Sequence, residues 1–370
     1  MKIICLAKRR PQQKDLITRP HGRFYYLPQM LAQRGHNIWV ALLSHKPDPL
    51  VVLNRKGIQW NSTSISNLSS SAYIGTINSL IQKNRPDWII GLSDTYYGIL
   101  SAYFGRKYGI QSAIDAYDNY ESYLPWCKPL HLLWRKAIKS ADVVTAAGPQ
   151  LAQYLNRFRP YKKVHIVPMA ADPTGFQPLN KQDCRERLNL PQNKKLIGYC
   201  GGFHSKRGFE IMFSAYEFVR SKNPNSLLIL SGRKQKKMRL PENSRYLGYL
   251  SDDLVPVLLN CMDVMLVPNQ LTTFGKFSYP IKLYEAMACQ IPVVATATEP
   301  AKWILKDAQQ FLARPGDACD MAEKILKALQ LNHFFYGEQN AWEKSCDALE
   351  MTLLEYAGAI KQEMVDWRIG

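Results

Sequence analysis

The chain has no apolar run approaching the ~18 residues that a membrane-spanning helix needs. Its longest weakly charged stretch, IIGLSDTYYGILSAYFG, is interrupted by Asp94 and several polar groups. The start, MKIICLAKRR, has too short an apolar centre for a secretory leader and reads as a first strand. Eight cysteines are scattered without a C-x-x-C pair or a His/Cys metal spacing. That excludes a disulfide framework and a zinc ribbon, and predicts buried free thiols in a reducing cytoplasm. Neither a short-period repeat nor a low-complexity tract occurs, which excludes solenoids and linker-like polymers. Two glycosylation sequons, at Asn61 and Asn67, are of a length that arises often by chance.

Carboxylates are scarce in one half only. Residues 1–170 hold eight Asp and Glu against 23 Lys and Arg, while the remaining 200 hold 22 against 25. The imbalance either keeps the first half soluble or lets it meet an anionic partner: a phospholipid surface, a diphosphate or nucleic acid.

What the sequence does have is strand–helix alternation. KIICLA, NIWVALL, DWIIGLS, QSAIDAY, DVVTAA and VHIVP read as strands with helices such as RFYYLPQMLAQ and LHLLWRKAIKSA between them. The pattern loosens at MAADPTGFQPLNKQD, which reads as a linker. It resumes through KLIGYCG, SLLILSG, SRYLGYL, DVMLVPN and IPVVAT and closes on one long helix. This predicts an α/β protein of two doubly wound domains, residues 1–170 and 171–348, with a final helix near 349–370 packing back on the first. Ligands of such folds sit at the carboxyl ends of the strands, here in a cleft between the domains.

Chemistry concentrates at residues 275–296, GKFSYPIKLYEAMACQIPVVAT. Pro280 suits the first turn of a short helix in which Glu285 is the lone carboxylate. Glu285 either pairs with Lys282 on the surface or contacts a ligand near the helix N-terminus, whose amides suit an anion.

Six blocks in order resemble the retaining GT-B glycosyltransferases, the large clade that includes bacterial polysaccharide and lipid glycosyltransferases. They are LAQRGHNI, RPDWIIGLS, SADVVTAAGPQLAQYL, VPMAADPTGF, GYCGGFHSKRGFEIMFSAYEFV with SRYLGYLSDDLVPVLLNCMDVMLVPN, and YPIKLYEAMACQIPVVAT. The resemblance implies two Rossmann-like domains facing a central cleft. It also implies transfer of a sugar from a nucleotide-diphosphate donor, UDP ahead of GDP, with no cofactor or metal ion. Glu285 would hydrogen-bond the ribose hydroxyls, and the amides of Ile281, Lys282 and Leu283 would face the diphosphate. Arg207, with Lys206 beside it, stands where the clade carries a phosphate-binding Lys. YLGYL (246–250) lies where it packs the nucleobase.

Two departures stand out. Gly202 occupies the position of the clade's Arg, so that cation is missing or comes from elsewhere, such as Lys282. Phe277 replaces the first of two glutamates spaced eight apart, which leaves the sugar to Ser278 or to the amides of Gly275 and Lys276. In the first domain, Gly22 of RPHGRFYY matches the loop that approaches the donor phosphates, and His21 is either a loop residue or an acid–base group. Tyr117 replaces the His of a His-Asp pair whose Asp, Asp118, is kept. Asp118 would orient the acceptor hydroxyl, take its proton, or cap the next helix. Asp115 reads as structural.

SYLPWCKPLHLLWRKAIKSAD interleaves Trp126 and Trp134 with Arg135, Lys136 and Lys139. These residues are either core and solvated face, or a surface for an anionic membrane and a lipid-linked acceptor. The expected place is the cytoplasm, at the inner membrane face, and the expected acceptor is a glycan or lipid-linked sugar. A sugar-nucleotide epimerase would want more carboxylates and histidines than AYDNYES offers. A nucleic-acid binder lacks any recognised motif. Phe277 and Gly202 keep a degenerate nucleotide-binding member as an alternative.

Overall fold

A computed structural model describes residues 1–65, 70–203, 207–234 and 238–369, with side chains through residue 359. Lys206 and the sequon at Asn67 lie outside the described residues. The chain divides into two compact units: residues 1–169 with 342–370, and residues 170–341.

The first unit runs β1 (Lys2–Lys8), α1 (Arg23–Gln33), β2 (Asn37–Ser44), β3 (Val51–Arg55), β4 (Ile58–Ser64), α2 (Ser71–Asn84), β5 (Trp88–Leu92), α3 (Thr95–Tyr108), β6 (Gln111–Ala116), α4 (Lys128–Ser140), β7 (Val143–Ala146), α5 (Pro149–Asn156) and β8 (Val164–Ile166). The second runs α6 (Lys181–Arg187), β9 (Lys195–Cys200), α7 (Phe209–Lys222), β10 (Ser226–Ser231), β11 (Ser244–Tyr246), α8 (Leu254–Cys261), β12 (Val264–Val267), α9 (Ile281–Ala288), β13 (Val293–Thr296), α10 (Glu299–Leu305), β14 (Leu312–Ala313) and α11 (Ala318–Ala328). A last helix, α12 (Trp342–Ile369), rejoins the first unit.

The sheets have the orders β3-β4-β2-β1-β5-β6-β7-β8 and β11-β10-β9-β12-β13-β14. Central β1 pairs in parallel with β2 and β5, and its Ile3–Ala7 run is buried on both faces, as parallel strands covered by helices require. The one antiparallel ladder among the described residues is β3–β4, a hairpin absent from the sequence reading. Lys56 and Gly57 turn it with φ of 50° and 75°, the signs of a two-residue type I′ turn. Also unanticipated is α6, which begins in the last residues of the expected linker because Asn180 caps the amides of Gln182 and Asp183.

The returning helix begins at Trp342, so the second unit ends at Ala341 rather than 348. The Trp342 indole stacks on Tyr26 of α1 at 5.6 Å. Arg34 then holds Glu350 at 2.5 Å and Asp347 at 2.6 Å, while His36 meets Glu350 at 2.6 Å. Five cysteines are buried and all eight are free, but Cys319 is exposed, contrary to the expectation of uniformly buried thiols.

Candidate functional site

In the second unit, the chain leaves β9 for β10 on one side, and β12 later fills the other. The carboxyl ends of β9 and β12 therefore flank the point where a doubly wound sheet opens a crevice. Gly201 and Gly232 end β9 and β10 there. A Cβ on Gly232 would overlap the Gly201 carbonyl, so the two loops touch backbone to backbone. The Gly201 amide donates to Ser231 O at 2.8 Å, and the Tyr246 hydroxyl donates to Gly232 O at 2.5 Å.

A Cβ on Gly201 would also run into the Cε and Nζ of Lys282. Lys282 thus reaches from the first turn of α9 across Gly201, beside the Gly202 position that lacks the clade's arginine. Arg207 approaches from the start of α7, its Nη1 donating to Asn269 Oδ1 at 3.4 Å and its guanidinium 5.5 Å from the Phe274 ring. The buried Tyr199 phenol, which donates to Gly202 O at 3.0 Å, feels the Arg207 charge. Burial raises its pKa and Arg207 opposes the rise. Two cations and a backbone-lined floor thus come together from segments 80 residues apart in sequence.

Three expectations need correction. Pro280 stands before α9 as its N-cap rather than within its first turn. The Leu283 amide donates to Pro280 O at 3.0 Å, so it does not face a ligand, and Ile281 and Lys282 carry the remaining first-turn amides. Gly275 N donates to Thr272 Oγ1 at 3.1 Å and Lys276 N to Thr272 O at 3.0 Å. Those loop amides are engaged, and buried Ser278 is the polar side chain left beside half-buried Phe277. Glu285 is half-buried in the second turn of α9, near enough to Cys289 that burial and then the Glu285 charge push that thiol up to about 12. Sequence reading missed Arg233 and Lys234, exposed just past β10, with Arg233 5.1 Å over the Tyr249 ring. The signal was a basic pair directly after the strand-ending Gly232.

The first unit has its own switch point, with β2 and β5 on either side of β1. Gly22 adopts φ 64° as N-cap of α1. That left-handed backbone suits glycine. His21 Nδ1 lies 2.8 Å from Arg19 O, a local loop contact. Buried Arg23 grips Asp115 at 2.5 and 2.6 Å and donates to Val167 O at 2.7 Å, which gives Asp115 the structural place expected of it.

Asp118 is buried and accepts the Tyr123 hydroxyl at 2.5 Å. It does not cap the following turn, where Asn119 precedes residues 120–122 without a side-chain cap. Tyr117 adds hydrogen bonds to Tyr123 and Gln12; burial first, then the Asp118 charge, raise its pKa and that of Tyr123. Lys8 ends β1, His45 and Asp94 follow β2 and β5, and the sequence reading gave none of the three a role in the site. Burial and then Lys8 lower the His45 pKa, whereas burial raises that of Asp94 against the pull of Lys8. Their signal was position, immediately after a strand at the switch point.

At α4 and the turn before it, the two tryptophans separate. Trp126 is 75% exposed, but Trp134 is 2% exposed. Trp134 fills the space above Gly98 of α3, where a Cβ would strike its ring, so it is core and not a contact surface. Arg135 is bidentate to Glu121 at 2.8 and 2.6 Å, while Lys136 and Lys139 are exposed. No described helix is long and apolar enough to cross a membrane.

Two doubly wound parallel units with a returning last helix define the GT-B class of fold. Sucrose-phosphate synthase from Thermosynechococcus elongatus superposes with a TM-score of 0.73 at 17% identity, covering 99% of each chain. Anabaena HepE, solved with UDP-glucose, superposes with a TM-score of 0.70 at 14% identity, covering 98% of this chain and all of its own. Residues 180–345 match the family model described as glycosyl transferases group 1. The D-inositol 3-phosphate glycosyltransferase of Stackebrandtia nassauensis is 26% identical over 187 residues, 45% of this chain. That match spans 40% of the relative's own length, less than half of it. Residues 180–345, most of the second unit, thus resemble the glycosyl transferases group 1 domain, and the fold is of the GT-B class.

Proposed function

We propose that the chain transfers a sugar from a nucleoside-diphosphate sugar, UDP ahead of GDP, to a glycan or lipid-linked acceptor during cell-surface polysaccharide or glycolipid synthesis. The observation that carries the donor half is Lys282 lying across Gly201 at the β9/β12 switch point. In this reading Lys282, Arg207 and the first-turn amides of Ile281 and Lys282 stabilise the negative charge that gathers on the departing diphosphate. They do so without a metal ion. Glu285 accepts from the ribose hydroxyls, since an ionised carboxylate suits a vicinal diol. Ser278 takes the sugar contact that Phe277 cannot make. Gly22 lets the α1 loop approach the donor phosphates. Asp118 orients the acceptor hydroxyl and takes its proton, with Tyr123 fixing its position. The anomeric configuration is retained, as the resemblance implies. HepE bound to UDP-glucose supports the choice of UDP.

Phe277 favours one second reading, a member that binds nucleotide without transferring sugar. Calorimetry with UDP, GDP and ADP tests the donor site. UDP should bind wild-type protein and lose about 1–3 kcal/mol in Glu285→Ala, the usual worth of a charged hydrogen bond. Binding of none of the three would remove the donor site from both readings. UDP binding without turnover of any UDP-sugar, offered glycan and lipid-linked acceptors, would select the second.

A further inference from the structure

We infer that Gln12 is a specificity-determining residue of the first unit's crevice, where its side-chain amide recognises one hydroxyl of a carbohydrate ligand. It lies in a single turn of 3₁₀ helix, Pro11–Gln13, on the loop between β1 and α1. Gln12 has φ 50° and ψ 25°, and Gln13 has φ 66°. Two successive left-handed residues of this kind are uncommon, because each crowds its Cβ against the next carbonyl oxygen. Gly22, later in the same loop, meets a left-handed demand with glycine; at position 12 a glutamine stands instead.

Charge holds the turn at its base. Arg9 grips Asp15 through Nε and Nη2 at 3.1 and 3.0 Å, with both side chains buried. Arg10 reaches Asp15 at 3.1 Å and clasps Asp48 at 2.7 and 2.6 Å, which ties the turn to the loop after β2. Gln13 N donates to Arg10 O at 3.2 Å and Lys14 N to Pro11 O at 3.0 Å. Ion pairs on either side thus impose a conformation that the two glutamines would not choose. What the turn delivers is the Gln12 side chain. It hydrogen-bonds Tyr117, Tyr117 bonds Tyr123, and the Tyr123 hydroxyl donates to Asp118 at 2.5 Å. Phe24, at the start of α1, meets the Tyr117 ring edge-on at 5.3 Å.

Folding alone gains little from this strain. Gln12 is exposed, and one hydrogen bond from an exposed side chain is worth less than two left-handed residues cost. Strain that local contacts do not offset is a mark of ligand sites. Chemistry then names the ligand. A primary amide carries two donor hydrogens and an acceptor oxygen, so beside the Tyr117 phenol it can both give to and take from a hydroxyl. Neither group is charged, which suits a sugar hydroxyl better than a phosphate. Identifying that sugar as the acceptor rests on the transferase reading, in which Asp118 engages the reacting hydroxyl and Gln12 reads a neighbouring one.

The test is titration of the full chain, with and without UDP, by the methyl α-glycosides of glucose, galactose and mannose, read by saturation-transfer NMR. At least one should bind wild-type protein, and Gln12→Gly should weaken it by about three- to tenfold, the worth of one neutral hydrogen bond. UDP affinity should stay unchanged, and the melting midpoint should not fall, because glycine accepts φ 50°. Gln13→Gly relaxes the adjacent residue without removing the amide, so it should raise the midpoint and leave glycoside binding as in wild type. One deoxy form of the bound glycoside should bind wild type as weakly as the parent binds Gln12→Gly, and combining the two changes should add nothing further. Equal binding by wild type and Gln12→Gly would overturn the proposal. So would a wild type that binds none of the glycosides, or a lowered midpoint without loss of affinity. Weaker glycoside binding in Asp118→Asn but not in Gln12→Gly would overturn it while leaving the acceptor site in place. Binding that depends on Gln12, in a chain that transfers no sugar from UDP-glucose, would keep the inference and remove the transferase reading.

Discussion

The two units open a crevice at the same topological point and furnish it in opposite ways. In the second, the floor is backbone: Gly201 and Gly232 meet without side chains, and cations reach in from α9 and from the start of α7. In the first, the lining is tyrosine and carboxylate: Tyr117, Tyr120 and Tyr123 surround Asp118, with Asp94 acting on Tyr117 and Tyr120. Amides and cations suit an anion. Phenols around a buried carboxylate suit a ligand made of hydroxyls. One sheet topology therefore frames two different sets of side chains, and what differs is which residues follow the strands.

Breaking each crevice separately tests that division. The largest effect is expected from Asp118→Asn, which should lower turnover by about 10²–10⁴-fold while UDP affinity stays unchanged. Tyr123→Phe should fall between wild type and Asp118→Asn in turnover. A loss of UDP affinity in either variant, read by calorimetry, would show that the crevices are not independent. The converse is Lys282→Met, expected to weaken UDP by about 1.5–3 kcal/mol. Gly201→Ala should weaken UDP as well, because its new Cβ displaces the Lys282 ammonium. Neither should alter the Tyr123–Asp118 contact.

The smallest effect concerns stability. Burial opposes the Glu350 charge, but hydrogen bonds from Arg34 and His36 outweigh it and hold the carboxyl below its usual value. A depressed carboxyl stabilises fully above its unfolded pKa, and that stability is lost as pH falls through the folded value. Glu350→Gln should therefore cost about 1 kcal/mol at neutral pH, and the difference in melting midpoint should shrink below about pH 4. The opposite trend with pH would sever Glu350 from the α12 clasp.

Much of this was legible in the sequence, because parallel strands buried on both faces leave continuous apolar runs and each run predicted a strand. Lys282 was named as a stand-in for the missing arginine because Gly202 left a specific vacancy in a recognisable block. Other features depend on partners distant in sequence. Trp126 and Trp134 lie in one amphipathic stretch, and only the lack of a side chain on Gly98 of α3 makes room for the second indole. The β3–β4 hairpin escaped because β3 is a half-exposed edge strand and the buried β4, IQWNSTS, lacks the apolar run that marked the other strands. Lys8, His45 and Asp94 are unremarkable singly; strand order makes them neighbours. The Leu283 amide looked available because helix starts generally leave amides over, but a tight turn at Pro280 takes this one.

The return of α12 to the first unit also sets an order of events during synthesis. Trp342, Cys346, Leu349 and Leu353 are core residues of a unit whose other strands end at Ile166. A ribosome must therefore make all of residues 170–341 before the unit it began first can be completed. Until then, the face of α1 that carries Tyr26 and Arg34 stays open to water, while the second unit already has its whole sequence. Closing so long an insertion is tolerable because loop entropy grows only with the logarithm of length. The half of the chain translated first is thus the last to finish folding, and a nascent chain stopped before Trp342 presents an unfinished core to the cell.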